Sequence, residues 1–262
     1  ALGGTNEPLK VGLAFDRFIE QDEFFAELKR VADEHYARLT LKFRPGWDVQ
    51  ALNFARIDSP SWLQLQVDVE GDLDFDKHAD TIYRMDDFFL NCVEQPLTPK
   101  DYVAHAMMKN TLRTPICLDE SIESFADAEM AIDLEACSQF CLKSGRVGGI
   151  GEARKIAEFA ESQGIGCYSG FDLQSSIGYR CAVALGATSN MTLPLDYIRL
   201  DEILIDDLCA PLLAVEKTFP ADDKKPERVF RVVELWEEPG IGAEPIPEIL
   251  EKYTLDKFEM AR

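Results

Sequence analysis

Three consecutive apolar runs in this chain each close on a carboxylate: 63–68 on Asp68, 88–94 on Glu94 and 115–119 on Asp119. Cations flank them. Lys42 and Arg44 stand either side of Phe43 at the end of an earlier run, and Lys143 ends a later one. Side chains alternate along a strand, so Lys42 and Arg44 share one face and Phe43 takes the other. Three carboxylates brought together repel and raise one another's pKa unless a cation sits among them. A hard divalent ion suits oxygen ligands, and Mg²⁺ keeps positions open for water or substrate oxygens. Singly, each acid has a plainer use: Asp68 or Asp119 as a helix cap, Glu94 as a solvated loop residue. In succession, between flanking cations, they read as a metal site facing an anion.

These side chains converge only if their strands lie side by side and parallel. Eight β-rich runs are expected at 11–15, 39–43, 63–68, 88–94, 115–119, 140–143, 166–169 and 191–196. Helical patterns lie between them at 19–37, 76–86, 99–112, 125–136, 152–162 and 175–185. Such alternation indicates βα units and a parallel sheet. An open doubly wound sheet fits the alternation too, but eight strands at even spacing favour a closed barrel. In such a barrel the active site lies at the C-terminal strand ends, where the carboxylates are. The expected organisation is a lead-in over 1–10, a (β/α)7β barrel over 11–215, and a C-terminal tail over 216–262 that packs back on barrel or cap. In that tail, 220–227 reads as an exposed loop, Pro239-Gly240-Ile241-Gly242 as a turn, and 247–253 as a short helix.

The bulk properties narrow the partners. The 262 residues suit one α/β barrel, and the 46% hydrophobic content suits a sizeable core. A net charge of −21 argues against a nucleic-acid backbone or an anionic membrane as partner. No apolar run is long enough for a membrane span, and the N-terminus has no signal-peptide pattern. The odd count of 7 cysteines, several inside apolar runs, suggests reduced thiols and a cytoplasmic location. Cys137 and Cys141 lack a second Cys/His pair at zinc-ligand spacing.

With these motifs assembled, the chain resembles the muconate-lactonizing subgroup of the enolase superfamily, and within it the o-succinylbenzoate synthases and N-acylamino acid racemases. The resemblance is carried by Leu41-Lys42-Phe43-Arg44-Pro45-Gly46-Trp47-Asp48, Val67-Asp68, Val93-Glu94-Gln95-Pro96-Leu97, Pro115-Ile116-Cys117-Leu118-Asp119-Glu120-Ser121-Ile122, Leu142-Lys143-Ser144-Gly145-Arg146-Val147-Gly148-Gly149 and the tail Pro239-Gly240-Ile241-Gly242. It implies that Asp68, Glu94 and Asp119 bind Mg²⁺, which holds a small carboxylate substrate and stabilises the enediolate formed when the α-proton leaves. It implies that Lys42 and Lys143 face that substrate from opposite sides. Gln95 and Glu120 would orient the ligands, while Ser169, Gly170, Gln174, Ser175 and Ser176 would line the mouth. The implied reaction is dehydration to o-succinylbenzoate in menaquinone biosynthesis, with racemisation or cycloisomerisation as alternatives. A homo-oligomer is compatible with it.

The chain departs from the family pattern in three places. Arg44 stands where the family's strand-two Lys-x-Lys has its base; a guanidinium stays protonated, but can hold a carboxylate bidentately. That leaves Lys143 or Lys42 as base, or a non-catalytic metal-binding barrel. Asp68-Val69-Glu70 replaces Asp-Ala-Asn and adds a fourth carboxylate near the metal. The α+β capping domain that precedes the barrel in the family is expected to be absent from these 262 residues.

Overall fold

The computed structural model describes residues 3–15, 21–43, 48–222 and 224–257. Eight strands form the barrel: β1 Leu9–Phe15, β2 Arg38–Lys42, β3 Gln64–Asp68, β4 Cys92–Glu94, β5 Ile116–Leu118, β6 Gln139–Leu142, β7 Gly166–Ser169 and β8 Leu195–Tyr197. Each of β1 to β6 pairs in parallel with the next, and β8 pairs in parallel with β1. A parallel bridge between Cys167 and Met191 closes the circle. Helices fill the crossovers: α1 Gln21–Ala32, α2 Asp48–Asp58, α3 Ala79–Met85, α4 Tyr102–Thr111, α5 Phe125–Asp133, α6 Ile150–Ser162, α7 Ser176–Gly186 and α8 Leu200–Ile203. A hairpin of β9 Val215–Phe219 and β10 Arg228–Val233 follows, and α9 Pro247–Tyr253 ends the tail. The hairpin runs antiparallel to the start of β1, with Leu9 opposite Val233.

Strand alternation sorts the side chains into two environments. Leu39, Leu41, Leu65, Val67, Val93, Ile116, Leu118, Phe140 and Leu142 are buried in one apolar cluster with the helix residues Leu28, Leu52, Ile82, Met85, Met108 and Ile156. Helix starts are fixed locally: the Asp101 carboxylate accepts from Ala104 N–H, and the Ser124 hydroxyl from Asp127 N–H. The other strand face fills the barrel, and it is polar. Arg38 is fully buried there, paired with Asp196 and donating to the Pro194 carbonyl at 2.9 Å. Its guanidinium stacks 4.4 Å from the centroid of Tyr168. A Cβ at Gly12 would meet Arg38 Nε at 2.7 Å, so only glycine leaves room for that side chain. Cys92, Cys117 and Cys141 pack with Tyr168 in the same interior.

Several expected boundaries differ. The run 88–94 is a strand only over Cys92–Glu94, because a 3₁₀ turn over 86–88 and a left-handed Phe89 precede it. The eighth strand lies at Leu195–Tyr197 rather than 191–196, where Pro194 supplies no N–H to a ladder. The first helix ends at Ala32, well short of 37. Helix α2 lay outside the expected set; its buried stripe of Val49, Leu52 and Ala55 is narrow between polar residues. No helix among the described residues is long and apolar enough to cross a membrane.

The buried pair yields a stability expectation. Arg38→Met leaves Asp196 without its cation, at a cost of about 3–5 kcal/mol. The double variant Arg38→Met/Asp196→Asn should recover most of it. Urea unfolding of the two variants measures this; equal losses would show that the guanidinium acts through packing alone.

Candidate metal centre and catalytic mouth

The C-terminal ends of β2 to β6 bring the expected charged residues into one mouth. Register does much of the work: Lys42 lies opposite Asp68, and Asp68 opposite Glu94. Asp119 follows β5 and is held by Gln95, whose Oε1 accepts from the backbone N–H of Asp119 at 3.1 Å and of Ser121 at 3.0 Å. Gln95 Nε2 donates to the Leu97 carbonyl and to Ser121 Oγ, each at 2.9 Å. One carboxamide thus ties the β4 loop to the β5 loop, from a backbone with positive φ of 35°.

The three carboxylates do not share one environment. Asp68 is paired with Lys42, which also donates to Glu70 at 2.8 Å. Asp119 is paired with Lys143 at 2.7 Å and with Arg146. Lys143 and Arg146 also face Asp172, at 3.3 Å and 3.8 Å. Glu94 forms no ion pair among the described residues. It accepts from Gln66 Nε2 at 2.5 Å, and Gln66 Nε2 also donates to the Tyr168 hydroxyl at 2.8 Å.

The electrostatics follow this division. Burial, then Asp68 and Asp119, push the Glu94 carboxyl well above the usual carboxylate range. Burial also raises Asp68, against the pull of Lys42. Asp119 is lowered despite its burial, because Lys143 and Arg146 outweigh it. Glu120, half-buried beside Asp119, is pushed up to about 7 by desolvation and by Asp119, and its buried Oε2 has no hydrogen-bond partner among the described residues. Lys42 and Lys143 are both raised: burial lowers each, but Asp68 and Asp119 overcome it.

The carboxylates of this mouth offer oxygen ligands to a hard cation, although the structure clusters the Cys141 thiol, not Asp68, with Glu94 and Asp119. The ligand atoms of Glu94, Asp119 and Cys141 lie within 4.8 Å of one another. Asp68, one strand over, leans away onto Lys42. Glu94 is a buried carboxylate with no cation partner among the described residues, and a divalent ion would supply the charge that its neighbours take from ammonium groups.

The remaining expected residues separate into groups. Gly170 reaches the mouth: a Cβ there would meet Cys141 Sγ at 2.3 Å and the Lys143 stem at 3.1 Å. Ser169 is buried on the opposite strand face, beside Gly186 of α7, and its hydroxyl has no partner. Gln174 packs its carboxamide over Gly178 of α7. Ser176 donates to Asp207 rather than into the mouth. Arg44 lies outside the described residues, as do Pro45, Gly46 and Trp47. Sequence reasoning singled out neither Gln66, Arg146 and Asp172 as site residues nor the Arg38–Asp196 pair. Inward strand parity could have pointed to Gln66, two residues before Asp68, and to Arg38, four before Lys42.

This fold and this mouth match one family. The chain belongs to the enolase C-terminal domain-like family, whose description matches residues 23–249. It is 31% identical over 254 residues to an o-succinylbenzoate synthase from Geobacillus kaustophilus, covering 97% of this chain and 64% of that protein. It is 35% identical over 230 residues to an N-succinylamino acid racemase from an Amycolatopsis species, covering 86% of this chain and 57% of that one. A solved enolase-superfamily member from Listeria innocua superposes with a TM-score of 0.83 at 29% identity, over 97% of this chain and 65% of the other. The chain therefore spans between 57% and 65% of the length of these relatives.

Glu94 gives the site a pH signature. Its folded pKa is raised, so its contribution to stability is complete below its unfolded value near 4.5 and is lost as pH rises through the folded value. In chelator, the chain should lose stability as pH climbs above about 4.5. Glu94→Gln should flatten that decline and raise the melting temperature at neutral pH. Melting curves from pH 4 to pH 8 check it; a decline unchanged by the substitution would remove Glu94 as its source.

Proposed function

We propose that this chain carries the proton-transfer mouth of an Mg²⁺-dependent enzyme that acts α to a substrate carboxylate, most simply as an o-succinylbenzoate synthase. The observation behind this reading is the placement of Lys42 and Lys143 at the ends of β2 and β6. Those strands stand opposite each other in an eight-stranded ring, and the three carboxylates fill the arc between them. Asp68, Glu94 and Asp119 would hold Mg²⁺, which when bound supplies positive charge to the substrate carboxylate as the adjacent carbon gives up its proton.

The chain's own residues would do the proton work. Lys143 keeps its proton while Asp119, with Asp172 beside it, answers its charge. With a cation bound, Asp119 would share its charge, its hold on Lys143 would weaken to leave mainly Asp172, and the Lys143 pKa would fall towards a base's range. Lys143 Nζ then takes the α-proton and returns it to the departing hydroxyl on the same face, so that water leaves and the amine is restored. Lys42, across the ring, keeps its charge over the electron-rich intermediate. Gln95 holds the Asp119 backbone against movement, and Gly170 leaves the Lys143 stem its path.

Racemisation of an N-succinylamino acid is the second reading, favoured by the 35% identical relative and by the facing lysines. There, Lys143 and Lys42 would remove and return the proton on opposite faces.

The test uses the full-length, Mg²⁺-loaded protein with the cyclohexadiene precursor of o-succinylbenzoate, followed by ultraviolet absorbance, and with an N-succinylamino acid in D₂O, followed by loss of the Cα proton. Turnover of the first with little exchange of the second supports the synthase; exchange with inversion supports the racemase. Lys143→Met should lower the rate about 10²–10⁴-fold. Absence of both turnover and exchange overturns the proposal.

A further inference from the structure

The end of the barrel away from the carboxylates holds a cavity of about 760 Å³ between the N-terminal strand ends and the β9–β10 hairpin. Its volume falls within the range of small-molecule sites. Three cations converge on it in a chain with 48 acidic and 27 basic residues: Lys10 from β1, Lys225 from the hairpin turn and Arg228 from β10. None of the three is ion-paired with a carboxylate among the described residues. Asp222 also lines the cavity, but its Oδ1 accepts the backbone N–H groups of Lys224 and Lys225, at 2.8 Å each.

Aromatic rings set the cations in place. Lys10 Nζ lies 4.4 Å and 4.3 Å from the centroids of Phe219 and Phe230. The Arg228 guanidinium lies 4.8 Å from the centroid of Trp62 and 5.9 Å from that of Phe230. These contacts hold the charges without neutralising them. Burial, together with Lys225 and Arg228, lowers the Lys10 pKa, as expected of cations that repel one another. Gln64, at the start of β3, adds a buried Oε1 with no hydrogen-bond partner among the described residues. With its amide turned over, the same group donates. Gln64 and Asp68 lie four residues apart on one strand, about 13 Å at the usual rise, which sets the cationic part of the cavity apart from the carboxylate mouth; Ser169, which also lines the cavity, does so from the outer face of β7.

We propose that this cavity binds a small organic anion with two or more negative charges and a flat apolar group. Lys10, Lys225 and Arg228 take the charges, and Trp62 with its neighbouring rings takes the apolar part. Phosphate and carboxylate both answer this description.

The test follows the chain's tryptophan fluorescence and heat of binding during titration with ADP, inorganic pyrophosphate and citrate. ADP should bind saturably and more tightly than pyrophosphate, because only ADP carries a ring. Citrate against pyrophosphate separates carboxylate from phosphate recognition. Lys10→Gln and Arg228→Gln should each weaken ADP about tenfold, while Lys10→Arg keeps the affinity. Trp62→Phe should remove most of the fluorescence response but leave the heat. No saturable binding of any of the three at about 1 mM overturns the proposal. So does binding that both charge substitutions leave unchanged, or equal loss in Lys10→Gln and Lys10→Arg.

Discussion

The mouth of this barrel is organised around the cost of crowding carboxylates away from water. Asp68, Glu94 and Asp119 approach one another on adjacent strands, and each neighbour makes the next harder to ionise. Ammonium and guanidinium groups meet the demand at the two ends of the row, through Lys42 on one side and Lys143 with Arg146 on the other. Among the described residues, the middle of the row has a carboxamide only. The arrangement is therefore balanced at its flanks and short of positive charge at its centre.

That arrangement depends on an interior unlike an ordinary apolar core. Below the mouth, Gln66 links Glu94 to Tyr168, and Tyr168 carries the Arg38 guanidinium on its ring. Two glycines make the stacking possible, Gly12 beside Arg38 and Gly170 beside Lys143 and Cys141. Each is a place where a methyl group would occupy the space of a charged side chain. The apolar work falls to the outer strand face and the helices, which leaves the inside free to hold charge.

Much of the fold was legible because its signals are local and periodic. Short β-rich runs ending in Asp68, Glu94 and Asp119 identified the barrel, the family and the mouth together. The helix over Pro247–Tyr253 was readable from its flanking prolines and apolar spacing. The hairpin of β9 and β10 was not, since most of its residues are exposed or half-buried and lack a continuous apolar face. Arg38 was hidden for another reason. An arginine before an apolar strand looks like a surface residue, and only closure of the ring brings Asp196 to it. Ser169 was placed at the mouth, with Gly170, by the family resemblance, whereas strand parity turns the two side chains to opposite sides.

The pairing of Arg38 with Asp196 also bears on how the protein is made. The two residues are separated by 158 positions. At a synthesis rate of about 5–20 residues per second, the guanidinium emerges roughly 8–30 s before its carboxylate exists. During that interval the early strands cannot close around an unanswered charge, so a nascent barrel has to stay open and hydrated until β8 arrives. The same electrostatic clasp that seals the finished ring thus acts as a completeness check, admitting the chain to its native state only when β2 and β8 are both present.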